Sequence, residues 1–290
     1  MKNLKKSVIL SIKLISVFYI WLLFDVFSAR AQGYMEYQQS GARQGAIGGA
    51  GVALIDVWSA EHNQAALAYI EKPSVGFFYE NRFTTIGYQG FAAVLPMNNS
   101  ALSFTTDFLG VKNYSSLMLG VAYSLKIREN LAISAKIDFH HSQTSEVSYL
   151  RTNVITEEFG IFARLSDNFY FGAHIFSPFP YYFSKADSGY GTIFTTGILY
   201  KPAERVSILF DLDKDTRYPL IYRGGIEYLY KDKLMFRIGI SSSKYPYYLQ
   251  RYSSYSFGIG YIFKSFRIDL AFYNHYLLGV TPQFSMNYKF

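Results

Sequence analysis

Apolar and polar residues alternate along most of the chain from Pro73 to the carboxyl terminus. Successive side chains of a strand point to opposite faces, so a repeat of two residues predicts a strand with one apolar face. The segment 130–140 shows this pattern most clearly. One set of positions is apolar and the other is small or polar: Leu131, Ile133, Ala135, Ile137 and Phe139 alternate with Ala132, Ser134, Lys136, Asp138 and His140.

Turns separate about fourteen segments of this kind. The predicted strands span residues 74–81, 85–95, 100–108, 116–126, 130–140, 153–165, 168–176, 191–201, 204–213, 220–230, 233–241, 253–263, 266–274 and 282–290. The turns 96–99, 127–129, 166–168, 202–204, 231–233 and 264–265 are short, and they alternate with a set that includes the longer segments 141–152, 177–190, 242–253 and 275–281. Even strand numbers and short turns at one end are typical of outer-membrane barrels.

The sequence therefore predicts an all-β fold, a transmembrane antiparallel up-and-down β-barrel of about 14 strands in the bacterial outer membrane. Its last strand places Phe284, Met286, Tyr288 and Phe290 on one face. Outer-membrane lipid would cover that face. A terminal aromatic strand resembles the signal read by the barrel-assembly machinery, which we expect as a partner during biogenesis. The alternative is the buried last strand of a soluble sandwich.

The amino-terminal residues differ from the rest of the chain. Lys2, Lys5 and Lys6 precede an apolar run over residues 7–27, and Ala29-Arg-Ala31 provides a cleavage site, so residues 1–31 are predicted to be a secretory signal peptide. Residues 32–72 are rich in Gly and Ala, with one or two helical turns expected between Ser59 and Ala68. We interpret them as an amino-terminal hatch inside the lumen, followed by the barrel at 73–290.

Composition supports this division. Aromatic residues make up 19% of the chain, with 27 Tyr and 26 Phe, and Tyr suits the girdles where a barrel meets the two membrane interfaces. The formal charge is +7, of which the leader contributes about +4, so the remaining charge gives no reason to expect nucleic acid as a partner. The chain has no cysteine, and its five histidines lack metal-site spacing, so we expect no metal and no cofactor.

Two sets of residues are candidates for functional positions. Inward-facing charges are expected to hold the hatch, or alternatively to form a polar conduction path: Lys136, Asp138, Glu157, Arg223, Glu227, Arg237 and Asp269. Aromatic residues in the long extracellular turns are expected to form the outer girdle or cover the mouth, or alternatively to contact a partner: Phe179, Tyr181, Tyr182, Tyr245, Tyr247 and Tyr248.

Catalytic and phosphate-binding motifs are weak. His140-His141-Ser142 could serve a hydrolase, but a nucleophile and its base also need a group to orient the base, and the sequence shows no clear third member. The segment Gly45–Gly51 lacks the Gly-Lys-Ser/Thr ending of a phosphate loop. We therefore expect a protein that is not an enzyme.

The hatch sequence resembles a known family. Four of its segments are similar to the amino terminus of the PorV/PorQ family, FadL-like outer-membrane proteins of Bacteroidetes: Gly41-Ala-Arg43, Gly48-Gly49-Ala-Gly51-Val-Ala-Leu54, Asp56-Val-Trp58-Ser59-Ala60 and Asn63-Gln-Ala-Ala-Leu67-Ala68. The family usually has Asn-Pro-Ala-Gly-Leu at the last element, and this chain lacks both the Pro and the Gly. The resemblance implies a fourteen-strand barrel whose hatch uses Gly41, Arg43, Gly48, Gly49, Gly51, Asn63 and Leu67.

The resemblance also implies a function. Some members of the family act as shuttles or scaffolds in the type IX secretion system, so secretion-apparatus proteins or exported cargo are the first partners we expect. A FadL-like transporter or channel for small hydrophobic compounds is the alternative. A membrane-embedded hydrolase that uses His140 or His141 with Ser142 ranks third.

Overall fold

The computed structural model describes residues 40–82, 86–145, 151–183, 190–244, 251–275 and 279–290. Within these ranges the strands are β1 (Ser74–Arg82), β2 (Ile86–Met97), β3 (Ser100–Val111), β4 (Tyr114–Arg128), β5 (Leu131–Thr144), β6 (Arg151–Ser166), β7 (Phe169–Phe176), β8 (Tyr181–Tyr182), β9 (Ile193–Ala203), β10 (Val206–Asp215), β11 (Ile221–Tyr230), β12 (Leu234–Lys244), β13 (Arg251–Phe263), β14 (Phe266–His275) and β15 (Gly279–Lys289). The predicted signal peptide lies outside the described residues.

Fourteen of these strands close into one barrel. Each pairs antiparallel with its neighbours in sequence, and β7 pairs directly with β9. The first strand meets the last, with Phe77 opposite Met286, so the sheet has no free edge. The two-residue strand β8 lies outside the ring and pairs with β6. This topology confirms the predicted fourteen-strand, up-and-down barrel.

The alternation along each strand separates an outer face from a lumen. In β5 the side chain of Ile137 is 63% exposed, whereas those of Lys136 and Asp138 on either side are buried. The outer faces of the other strands likewise carry large exposed apolar residues, such as Phe104, Phe236 and Phe257. Apolar groups are stable on this surface only against lipid, so the wall spans a membrane.

One end of the barrel has short connections. Two or three residues join the strands there, at positions 98–99, 129–130, 167–168, 204–205, 231–233 and 264–265. Both ends of the barrel sequence also lie there, since Phe290 N donates to Pro73 O at 3.0 Å. We refer to this as the short-turn end.

At the opposite end the strands run further than the sequence predicts. The expected turn 141–152 is partly strand, because Ser142 pairs with Thr152 and Gln143 with Arg151. We call the band of outward-facing apolar residues the apolar belt. The ladder of backbone hydrogen bonds between the strands continues beyond this belt, since these bonds do not depend on the polarity of the side chains. The prediction placed the strand end where the apolar alternation ends, and that was too early.

The described part of the hatch, residues 40–72, lies in the lumen. It contains helix α1 (Ala42–Ala46), helix α2 (Ser59–His62) and a 3₁₀ helix (Gln64–Tyr69). Asn63 separates the last two, with an extended backbone and a side-chain Oδ1 that accepts from Ala65 N at 3.3 Å. Trp58 packs edge-on against Phe78 of β1, with ring centroids 5.9 Å apart. Among the described residues, no helix is long and apolar enough to cross a membrane.

Candidate functional site: the charged lumen around the hatch

Arg43 of α1 joins the hatch to the barrel wall. Its Nε and Nη2 donate to the two carboxylate oxygens of Glu227 on β11, at 2.9 and 2.6 Å. Its Nη1 donates to Asp56 Oδ2, elsewhere in the hatch, at 3.1 Å. Arginine offers a planar fork of donors, so one side chain can bridge two carboxylates.

Two wall arginines extend this group into a balanced set. Arg237 donates to Glu227 at 2.6 Å and lies 2.8 Å from Asp269. Arg267 bridges Asp269 and Asp56, at 2.9 and 3.1 Å. We call the whole set the arginine network, and it holds three cations and three carboxylates: Arg43, Arg237, Arg267, Asp56, Glu227 and Asp269.

Asp56 is the hatch's acceptor in the arginine network. Burial opposes its charged form, but Arg267 and Arg43 outweigh that penalty and hold the pKa of the Asp56 carboxyl well below its usual range. Its second oxygen accepts from Trp58 N at 2.8 Å and from Gln44 Nε2 at 3.1 Å. The same carboxylate therefore fixes the turn before α2 and ties it to the wall.

A second group of charges lies on β5, β6 and β7. The ammonium of Lys136 is 3.0 Å from Asp138, 3.2 Å from Glu158 and 3.4 Å from Glu61 of α2. The other oxygen of Glu158 contacts His174 Nε2 at 2.8 Å and accepts from Gln64 Nε2 at 2.6 Å. We call this set the lysine cluster: Lys136, Asp138, Glu158, His174, Glu61 and Gln64.

Three carboxyl groups share one lysine in this cluster, so their full ionisation while they are buried is unfavourable. The hatch residue Glu61 shows the consequence. Burial, with Asp107 and Glu158 adding to it against the attraction of Lys136, raises the pKa of the Glu61 carboxyl to about 8. The lysine cluster therefore retains a proton near neutral pH. It differs in this respect from the balanced arginine network.

Backbone contacts form a third attachment. Gly48 N donates to Ser256 Oγ at 2.9 Å, and Gly51 N and Val52 N both donate to one oxygen of Asp211, at 2.6 and 3.0 Å. Gly48 has a positive φ of 75° and lies against the carbonyl oxygens of Ile240 and Gly224. A side chain would not fit between the hatch and the wall at this position.

The other hatch residues singled out by the family motif also have identifiable contacts. Gly41 precedes α1 with a φ of 116°, and Gly49 adopts a φ of 81° beside the guanidinium of Arg223. Asn63 Nδ2 donates to Ile161 O on β6 at 2.9 Å and to Val52 O at 2.8 Å. Leu67 is buried in an apolar cluster with Phe78 and Tyr88.

The prediction that Glu157 faces the lumen is wrong. Glu157 lies opposite Ile137 in the β5–β6 ladder, and Ile137 faces outward, so Glu157 shares the outer face. Its neighbour Glu158 lies opposite Lys136 and points inward. The prediction therefore placed the inward-facing position one residue too early in β6. The outward residues Phe159 and Ile161, two and four positions after Glu157, could have fixed the phase of the alternation.

The remaining predicted lumen residues lie within these groups or beside them. Lys136 and Asp138 belong to the lysine cluster, Glu227, Arg237 and Asp269 to the arginine network, and Arg223 pairs with Asp213 on β10. Sequence reasoning missed Glu61, Glu158, His174 and Arg267, and it included Asp56 only as part of the family motif, without a role. No pattern marks Asp56 or Glu61 as a wall contact, because the hatch has no strand alternation to show which residues point at the wall.

The aromatic residues of the extracellular side lie partly within the described residues. Phe179 is 78% exposed, and Tyr181 is paired with the outward Ile155 and shares its face. Tyr182 Oη accepts from Tyr190 N at 2.7 Å. The predicted members Tyr245, Tyr247 and Tyr248 lie outside the described residues.

The histidines considered for hydrolysis have other partners. His140 points inward, with Nε2 2.8 Å from Thr156 Oγ1, whereas Nδ1 of His141 is 2.7 Å from Asn153 Oδ1. Because they are consecutive in a strand, their rings point to opposite faces. In the part of the chain that the structure describes, no group of three or more His, Cys, Asp or Glu side chains is arranged to hold a metal ion.

Solved structures share this fold. The CymD monoaromatic hydrocarbon channel has a TM-score of 0.69 at 13% identity, over 87% of this chain and 97% of its own. The Ralstonia pickettii toluene transporter TbuX has a TM-score of 0.66 at 13% identity, over 86% and 98%. A Pseudomonas aeruginosa FadL homologue has a TM-score of 0.63 at 11% identity, over 90% and 100%. At these identities the likeness shows a common fold.

Sequence comparison adds no closer relative. No family model matches the chain, and no curated protein matches it at a significant level. A closed barrel with an even number of antiparallel strands, an apolar outer face and short turns at one end is the outer-membrane architecture. The chain is therefore an outer-membrane β-barrel with the fold of FadL-like channels, and its short-turn end faces the periplasm.

Proposed function

We propose that the barrel carries small hydrophobic compounds across the outer membrane and that the hatch gates their passage. The observation that carries this proposal is the filled lumen within a channel-type fold. The described hatch residues from Ser40 to Tyr69 are buried or half-buried inside the barrel, so the lumen is not an open aqueous pore. Two of the structures with this fold are named a monoaromatic hydrocarbon channel and a toluene transporter.

Apolar lumen surface also supports a hydrophobic substrate. Phe78 and Tyr88 on one wall and Leu199 and Leu209 on another point inward and pack against apolar hatch residues. Movement of the hatch would uncover this surface beside the charged groups described above. Apolar surface of this kind favours compounds that lose little by leaving water.

A disulfide lock can test the proposal, because the natural chain contains no cysteine. A Cβ on Gly90 of β2 would lie 3.1 Å from the Cβ of Ser40, a few tenths of an ångström short of disulfide spacing. We therefore choose the Ser40→Cys/Gly90→Cys variant. It would be expressed in cells that lack their own channel for hydrophobic compounds, and entry of labelled toluene and of labelled sucrose would be measured.

The expected result is faster toluene entry than in cells with an empty vector, and unchanged sucrose entry. Oxidation of the double-cysteine variant should abolish the gain, and reduction with dithiothreitol should restore it. Equal toluene entry with and without the folded barrel would overturn the proposed conduction. Equal entry in the oxidised and reduced variant would overturn the gating role of the hatch.

A scaffold role of PorV/PorQ type is the second candidate. It is supported by the resemblance of the hatch motif and by the high exposure of Phe179, which exceeds that of the residues of the apolar belt. Cross-linking in native membranes followed by affinity purification tests it. Recovery of secretion components by the unaltered chain, with loss in Phe179→Ser, supports the role, and recovery of none counts against it.

A further inference from the structure

Three cations line the lumen at its short-turn end. Lys126, Arg164 and Lys201 each occupy the inward phase of their strand. Their backbone N–H groups donate at 2.8 Å to Asn99, Asn130 and Asn168, which are residues of the short turns. They therefore form the last inward-facing level of β4, β6 and β9 before the periplasm. We call these three residues the cationic mouth.

Aromatic rings rather than carboxylates contact the cationic mouth. Arg164 lies over the ring of Tyr69, with 3.9 Å from its Cζ to the centroid, and Lys126 Nζ is 5.0 Å from the same centroid. Lys201 Nζ is 5.1 Å from the centroid of Tyr170. The two tyrosines are linked through Phe162, at centroid distances of 5.2 and 6.2 Å.

The cations of this group differ from those deeper in the lumen because they lack close ion pairs. Deeper in the lumen the arginine network and the lysine cluster are built from close ion pairs. Among the described residues, Lys126, Arg164 and Lys201 form no such pair. Two carboxylates lie within electrostatic range, Glu227 of Lys201 and Glu129 of Tyr69, but the oxygens of Glu227 already accept from Arg43 and Arg237.

Two polar atoms at this point are buried without a partner in the described structure. They are Nε of Arg164 and Oη of Tyr69. Tyr69 as a whole is only 7% exposed. A buried donor without an acceptor is costly, so native proteins usually satisfy it with protein, water or ligand. Both atoms can donate a hydrogen bond, and both lie beside cations that form no close ion pair in the described structure.

We propose that the cationic mouth is a binding site for an oxyanion, either a phosphate or a carboxylate. Arg164 and Tyr69 supply the hydrogen bonds, and Lys126 and Lys201 supply further charge. The aromatic rings of Phe162 and Tyr170 make the site suitable for an oxyanion attached to an apolar group. Because Tyr69 ends the 3₁₀ helix of the hatch, an anion bound here contacts the hatch directly. This proposal is independent of the proposed transport function, since the binding of an oxyanion can be measured without transport.

Equilibrium dialysis tests the site with the purified full chain in phosphatidylcholine nanodiscs. The probes are radiolabelled orthophosphate and benzoate. Arg164→Gln should weaken saturable binding by about tenfold or more, as expected for loss of a charged hydrogen bond, and Tyr69→Phe should weaken it a few-fold while keeping the ring. The matched control is Arg128→Gln, which removes an exposed cation two residues from Lys126 and should change nothing.

A second arm separates dissolved anions from lipid headgroups as the source of the oxyanion. The chain is extracted from mixed phosphatidylcholine and phosphatidylglycerol membranes, and the phosphatidylglycerol retained per barrel is counted. Retention that falls in Arg164→Gln identifies a headgroup phosphate at the site, and dialysis binding that falls identifies a dissolved anion. If folded Arg164→Gln matches the unaltered chain in both arms, or neither arm shows binding, the proposal is overturned.

Discussion

Arg43 in the hatch and Glu227 in β11 are 184 positions apart in sequence and are joined by two hydrogen bonds. The paired geometry fixes the orientation of α1 as well as its position, because two of the three guanidinium nitrogens must meet the two carboxylate oxygens. Arg237 approaches the same carboxylate from β12. The hatch is thus held by the Glu227 carboxylate, which without Arg43 would have Arg237 as its arginine partner.

Removing this link should loosen the hatch. Arg43→Gln leaves Glu227 with Arg237 and Asp56 with Arg267, so we expect a loss near the lower end for a broken buried pair, about 3 kcal/mol in the free energy of unfolding. Urea titration in lipid vesicles measures that free energy, and single-channel recording detects more frequent opening. The control is Arg205→Gln, whose partner Asp232 lies 3.7 Å away on the exposed surface and contributes little. Equal effects of the two variants would contradict the prediction.

The lysine cluster should depend on its single ammonium. Lys136→Met leaves Asp138, Glu158 and Glu61 without their shared cation, and we expect a loss of about 3–5 kcal/mol in the free energy of unfolding. Adding Glu158→Gln should recover part of that loss, because the carboxylate 3.2 Å from the lysine then no longer needs a counter-charge. A double-mutant cycle by urea titration measures the coupling. Strict additivity of the two changes would show that the residues are not coupled.

The barrel was predictable because a membrane constrains its wall residue by residue. Outward positions that meet the hydrocarbon must be apolar and inward ones are free to be polar, so a period of two recurs from strand to strand. Predictions failed where that constraint ends. Gln143 lies past the apolar belt but still in strand, and Glu157 was assigned to the wrong face because two adjacent glutamates differ only in phase.

The site was less predictable than the wall. The family motif singled out Arg43, but its partner Glu227 follows only from the barrel register together with the path of the hatch through the lumen. The one or two helical turns expected between Ser59 and Ala68 are two short helices, which are separate because Asn63 takes an extended backbone and caps the second. No periodicity marks Glu61 as a wall contact. Such contacts depend on three-dimensional proximity rather than on local sequence.

Stability should fall as the pH rises because of Glu61. Burial raises its pKa in the folded protein from 4.5 to about 8, so the folded state keeps a proton that the unfolded chain loses above about pH 4.5. The stabilisation is complete below that pH and is lost as the pH rises through 8, with a slope of up to about 1.4 kcal/mol per pH unit. Glu61→Gln should flatten the decline in urea titrations between pH 5 and 9. The exposed neighbour variant Glu71→Gln should keep it. Identical slopes for the two variants would refute this role of Glu61.

A methyl group at Gly48 should prevent the hatch from docking. The added Cβ would collide with the carbonyl oxygens of Ile240 and Gly224, and the φ of 75° is unfavourable for alanine. Strain of this kind costs about 1–3 kcal/mol before the collision is counted. Gly48→Ala should therefore fold into a barrel that resists heat in detergent gels but admits protease to the hatch from the periplasmic side. Gly87→Ala is the matched control, because no atom lies within 4 Å of its added Cβ. If Gly48→Ala protects the hatch from protease as fully as Gly87→Ala does, close backbone approach at Gly48 is not what seats the hatch.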